Sequence, residues 1–164
     1  MASGVAVPWA LEAQRLLAAD WGVAADVWSV TSWNELRREA LAVQASAMLD
    51  PSREPQTPFI TEQLAGASGP VIATTDYSTQ VPDQIRQFIP NRFATLGADD
   101  FGFSDTRAAA RRHFRIDAHS MVIRALQMLA EENTLDPGLA EEAIEKYQLS
   151  DPNAGTSGST GGDA

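Results

Sequence analysis

Leu96-Gly97-Ala98-Asp99-Asp100-Phe101-Gly102-Phe103-Ser104-Asp105-Thr106-Arg107 decides the fold of this chain. Its apolar lead-in, residues 93–96, reads as a buried strand, and glycine punctuates the turn that follows. A helix is expected to start at Ser104 or Asp105, whose short side chains can accept hydrogen bonds from free backbone N–H groups. Gly97 and Gly102 allow backbone angles or close approaches that a Cβ would block. The helix covers 107–114 and breaks at Arg115-Ile116-Asp117. The Asp then caps a second helix running to residue 133.

Working outward, residues 25–30 alternate and are rich in β-formers, which reads as an interior strand. Residues 71–75, bounded by Gly69-Pro70 and Asp76, are the clearest second strand. A helix is expected over 9–21, where Ala10, Ala13, Leu16 and Leu17 make an apolar stripe and Pro8 suits the first turn. Another runs over 33–48, with Ser32 and Glu35 at capping-box spacing. Shorter helices are expected over 59–66, over 81–89 before Pro90, and over 137–148. Met121, Val122, Ala125, Leu126 and Leu129 give the helix after Asp117 its buried stripe. Residues 151–164 carry almost no apolar bulk and read as a disordered Gly/Ser-rich tail, leaving 1–150 as one domain. Strands separated by helices imply an α/β fold: a three-layer α/β/α sandwich around a mainly parallel sheet.

Composition narrows the function classes. At 164 residues, 44% hydrophobic and 21% charged, the chain can build one ordinary core. It has no cysteine, so disulfides, thiolate catalysis and thiol metal sites are excluded. The net charge of -10 opposes nonspecific nucleic-acid binding, which depends on neutralising phosphates. No signal peptide or membrane span is visible, and a cytoplasmic location is expected.

Four segments in register carry a family resemblance. They are the turn quoted above, then Gly22-Val23-Ala24-Ala25-Asp26-Val27-Trp28-Ser29-Val30-Thr31-Ser32-Trp33-Asn34-Glu35-Leu36, Gly69-Pro70-Val71-Ile72-Ala73-Thr74-Thr75-Asp76-Tyr77 and Val81-Pro82-Asp83-Gln84-Ile85-Arg86. Over residues 2–149 the chain resembles the C-terminal domain of the transketolase superfamily, and more closely that of the homodimeric pyruvate dehydrogenase decarboxylating component. In that family a hydrophobic strand precedes the Ala-Ser-Gly found here at Ala2-Ser3-Gly4. The chain is therefore expected to lack its leading strand and to be a fragment. Where the family has Gly after the Asp of the turn, this chain has Asp100, which would tolerate a positive φ less well.

The resemblance implies a parent enzyme that decarboxylates pyruvate on thiamine diphosphate and Mg²⁺. The parent then acetylates the lipoyl group of dihydrolipoyl acetyltransferase. The expected partners are the remaining parent domains, a second subunit and that acetyltransferase, with no nucleic acid and no membrane. The family's Gly-Asp-Gly metal-diphosphate motif occurs nowhere in this sequence. Neither do a Walker loop, Gly-x-Gly-x-x-Gly, Gly-x-Ser-x-Gly or His-Glu-x-x-His. No catalytic, cofactor-binding or metal residue is therefore assigned, and the chain alone is expected to bind no cofactor and to be inactive.

Other chemistry-bearing residues favour ordinary roles. Arg107, Arg111, Arg112 and Arg115 form a candidate interface, with 107, 111 and 115 on one helical face; a solvated face is the simpler reading. His113 lies among them without a carboxylate at helical spacing, and His113 with His119 is too little for a metal site. Asp99, Asp100 and Asp105 fit turn and cap roles better than a cation loop. Gly97, Asp99, Phe101, Gly102 and Ser104 are read as the structural turn. Trp9, Trp21, Trp28 and Trp33 are core or subunit-contact anchors. Two alternatives to a structural and assembly domain remain: a natural small subunit of a split thiamine-diphosphate enzyme, and a non-enzymatic module using the arginine-bearing helix. Lost sheet neighbours would expose apolar surface and favour association.

Overall fold

Val71–Thr74 (β1) and Phe93–Leu96 (β2) pair in parallel, Val71 opposite Phe93 and Thr74 opposite Leu96. The computed structural model describes residues 1–52 and 54–154. Parallel strands need a crossover. Here the chain makes it through Gln80–Asp83 (α4) and a 3-10 turn, Arg86–Phe88. The continuous helix expected over 81–89 is thus two short turns.

The third expected strand, 25–30, forms no ladder. Its contact with the sheet is a parallel bridge between Ser29 and Ala2, and Ala2 bridges Thr74 on its other side. The residues around Ala2 hydrogen-bond both ways. Ala2 N donates to Trp28 O and Val30 N to Ala2 O, at 2.8 Å each. Thr74 N donates to Met1 O at 2.9 Å and Ser3 N to Thr74 O at 3.2 Å. Residues 1–3 therefore run as a short middle segment between the two flanks. Along residues 25–30 the pairing is that single bridge at Ser29, so among the described residues the alternating sequence forms no ladder.

Helices cover both faces. On one lie Ala6–Trp21 (α1), Ala118–Glu131 (α6) and Gly138–Lys146 (α7). Trp9, Leu16, Leu17, Met121, Val122 and Leu126 are buried together there, each contributing roughly 1.5–3 kcal/mol. On the other lie Trp33–Leu49 (α2) and Phe59–Leu64 (α3), with Trp33, Ile60, Leu64, Ile85 and Phe88 against Val71, Ala73 and Phe93. α1 starts three residues earlier than expected, so Pro8 still lies in its first turn. Ser32 caps α2 by accepting from Glu35 N, as its spacing predicts. No helix among the described residues is long and apolar enough to cross a membrane.

After α7, Pro152–Ala154 forms a 3-10 turn docked against the helix Arg107–His113 (α5). The first residues of the expected tail are thus ordered; residues 155–164 lie outside the described ones.

Candidate functional site

In open α/β sheets, ligands settle outside the carboxyl ends of the strands. Here that edge is built by the turn after β2. Gly97 packs against the turn after β1 so closely that a Cβ would lie 2.7 Å from Tyr77 O and 2.8 Å from Thr79 N. Only glycine fits. Ala98 N then donates to Tyr77 O at 2.8 Å. Asp99 completes the clamp, Oδ1 accepting from Thr79 N at 2.7 Å and Oδ2 from the Thr79 hydroxyl at 2.6 Å. The Thr79 hydroxyl first, then its backbone N–H, hold the Asp99 carboxyl below the usual carboxylate range.

The rest of the turn departs from expectation. Gly102 has φ +80° and so needs glycine. Asp100 does not adopt a positive φ, so the anticipated strain is absent. Its Oδ1 accepts from Phe101 N at 2.7 Å, and its Oδ2 lies 3.1 Å from His113 Nε2. The Phe101 N–H first, with His113 second, lowers the Asp100 pKa. His113 thus has a carboxylate partner, thirteen residues away rather than one helical turn away, and Phe103 stacks on its ring at 4.0 Å. Phe101 is 98% exposed and packs nothing into the turn. Neither Ser104 nor Asp105 caps the helix: α5 begins at Arg107, and Thr106 accepts from Ala109 N at 3.2 Å. The Asp105 carboxylate takes Thr106 N instead.

The four arginines do not form one face. Arg107 and Arg115 are exposed, whereas Arg112 is only 3% exposed. Arg115 leaves the helix in a left-handed conformation, φ 59°, at the α5–α6 junction, a common way for a helix to end. Arg111 lies over the Trp9 ring at 4.7 Å. Arg112 faces inward: its Nε lies 2.8 Å from Asp117 Oδ2, and one terminal nitrogen reaches His119 Nδ1 and Ala154 O. Asp117 is fully buried and also caps α6 through Ser120 N at 2.8 Å. Since Arg112 donates to Nδ1, the ring proton of neutral His119 sits on Nε2. Burial, above all, lowers the His119 pKa. The ring stacks on Tyr147 at 4.3 Å.

Tyr147 accepts from Trp21 Nε1 and donates to Asp20 Oδ2, and burial pushes its hydroxyl up to about 12. Sequence reasoning missed the joining of Arg112, Asp117, His119 and Tyr147. The Asp cap read at 117 was its only local signal. The tryptophans also part company: Trp9 and Trp33 are buried on opposite faces, and Trp28 is 37% exposed.

These polar groups are engaged with one another. Asp99, Asp100 and Asp105 each serve a separate backbone or side-chain partner. Among the described residues no group of three His, Cys, Asp or Glu is placed to hold a metal ion. The arrangement welds strand-end turns and helices together.

The chain matches the family model for the transketolase-like TK C-terminal domain over residues 1–117. It is 52% identical over 154 residues to the pyruvate dehydrogenase E1 component of Mycolicibacterium smegmatis, covering 94% of this chain and 17% of that protein. The E1 component of Mycobacterium tuberculosis is 49% identical over 151 residues, covering 92% of this chain and 16% of that protein. That of Escherichia coli K12 is 37% identical over 150 residues, covering 91% and 17%.

Proposed function

We propose, on the premise that this chain belongs to the transketolase-like C-terminal domain family, that it is the structural and assembly domain of a pyruvate dehydrogenase E1 component. In this reading the parent acts in the cytoplasm. It decarboxylates pyruvate with thiamine diphosphate and Mg²⁺ and acetylates the lipoyl group of dihydrolipoyl acetyltransferase. The remaining E1 domains and a second subunit are this chain's partners. The observation that carries the reading is the 52% identity over 94% of this chain, confined to 17% of the relative's length.

The described residues do not fit thiamine diphosphate and its metal. Asp99, Asp100 and Asp105 at the sheet's carboxyl edge are each committed elsewhere, and the sequence has no Gly-Asp-Gly. No chemical step is assigned to this chain. The arginine-helix interaction module is less favoured, because Arg112 is buried and Arg115 is off the helix.

Two measurements test the reading. Calorimetric titration of the chain with thiamine diphosphate and Mg²⁺ should give no binding heat, and micromolar binding would overturn it. Grafting this chain onto the M. smegmatis E1 in place of its matching segment should preserve pyruvate decarboxylation. A soluble, folded graft without activity would equally overturn it.

A further inference from the structure

The 3-10 turn Pro152–Ala154 buries none of its own residues. It is tied to α5 through Ala154 O, which accepts from Arg112 Nη2 at 2.9 Å. The same nitrogen lies 2.8 Å from His119 Nδ1. A guanidinium carries donors only, so that second contact requires Nδ1 to keep its lone pair. We infer that Arg112 and His119 form a proton-operated latch: neutral His119 holds the guanidinium against the turn, and an imidazolium releases the turn from α5.

The geometry decides which group gives way. Arg112 is anchored at Nε, 2.8 Å from Asp117 Oδ2, and Asp117 is fully buried and fixed by Ser120 N. The terminal nitrogens are therefore the end that can swing. Protonating Nδ1 sets N–H against N–H and places a second cation at hydrogen-bond distance from the first. The imidazole is held in place, stacked on Tyr147 at 4.3 Å, and Tyr147 is itself fixed by Trp21 and Asp20. The guanidinium end moves instead. One nitrogen serves both acceptors, so the bond to Ala154 goes with the bond to His119. Asp151 N to Gln148 O, Asn153 N to Asp151 Oδ1 and Ala154 N to Asp151 O are bonds within 148–154 and do not hold the turn on α5.

Charges on each packed element bear on the imidazole. Asp117 at the α6 cap, with Glu12 and Asp20 on α1, favours its charged form, and Arg112 on α5 opposes it. Both α1 carboxylates are already paired, Glu12 with Arg15 and Asp20 with Lys146 of α7. Burial outweighs the carboxylates and lowers the His119 pKa. A closed state that disfavours the proton is itself disfavoured by it. The turn is thus docked near neutral pH and comes away as pH falls through the depressed value of His119.

The test is an NMR titration of the 164-residue chain from about pH 7.5 to about pH 5. The His119 ring signals and the Asn153 and Ala154 amides should move with one midpoint. Across it the order parameters of those two amides should fall from about 0.85 to below about 0.6, while the α6 amides stay rigid. His119→Asn keeps an acceptor at the Nδ1 position and does not titrate, so its turn should stay docked throughout. Several results overturn the proposal. One is a ring that titrates while the Asn153 and Ala154 amides stay fixed, and another is a ring that stays neutral over the whole range. A third is a transition that persists in His119→Asn, which would assign it to Asp151 or another acid. A turn already mobile near neutral pH in either chain also overturns it. So does loosening of α6 at the same midpoint, which would make the event global unfolding.

Discussion

Replacing Gly97 with alanine introduces one methyl group where the two strand-end turns touch. The new carbon would lie 2.7 Å from Tyr77 O, 2.8 Å from Thr79 N and 3.1 Å from the Ser78 carbonyl carbon. All three are backbone atoms, so no flexible side chain can yield. Overpacking of this kind costs about 1–3 kcal/mol. Separating the turns also strains the Ala98 N to Tyr77 O bond, worth about 1 kcal/mol. The expected destabilisation is therefore about 2–4 kcal/mol. With a urea dependence near 2 kcal/mol per molar, the midpoint should drop by about 1–2 M. Gly102→Ala is the graded control: its φ is +80° but nothing lies within 4 Å, so it should cost only about 1–2 kcal/mol. Gly66→Ala, with neither constraint, should leave the midpoint unchanged or slightly raised. If Gly97→Ala unfolds within about 0.5 kcal/mol of the parent, or Gly102→Ala proves the costlier change, the close-approach argument is wrong.

The buried ion pair gives a second prediction. Arg112→Met strands the Asp117 carboxylate and should cost about 3–5 kcal/mol, and Asp117→Asn should cost a similar amount by stranding the guanidinium. The double variant should lose at least about 1 kcal/mol less than the sum, read from urea midpoints; strict additivity would mean no coupling. A third concerns pH. Burial depresses the folded-state pKa of His119 below its unfolded value of about 6.5. Its contribution is complete above the unfolded value and is lost as pH falls through the folded one. Urea midpoints of the parent should thus fall more steeply below about pH 6.5 than those of His119→Phe; parallel profiles would contradict this.

Local pattern carried much of the fold. The α1 stripe was readable because Ala13, Leu16 and Leu17 recur at helical spacing, and all three are buried. Met121, Val122 and Leu126 behaved alike in α6. The strand 93–96 was read to its exact bounds, since apolar residues between turn signals leave little choice. Residues 25–30 misled because a strand needs a continuous ladder, and this stretch makes one bridge, Ser29 to Ala2, among the described residues. The clamp of Asp99 on Thr79 spans twenty residues and Asp100 meets His113 across thirteen. No periodicity reports contacts at that range. Arg112 was misread for a different reason: hydropathy places arginine outside, and only the buried Asp117 makes an inward guanidinium tolerable.

The two hydrophobic clusters meet the sheet from opposite sides and stay separate. α2 buries only Trp33 and Ala40 of its seventeen residues, whereas α6 buries seven of fourteen. Sequence drift is therefore tolerated unequally. The α2 side has latitude to change its outer residues to suit a neighbour, while the α6 side, closed on itself, keeps the shape of the whole.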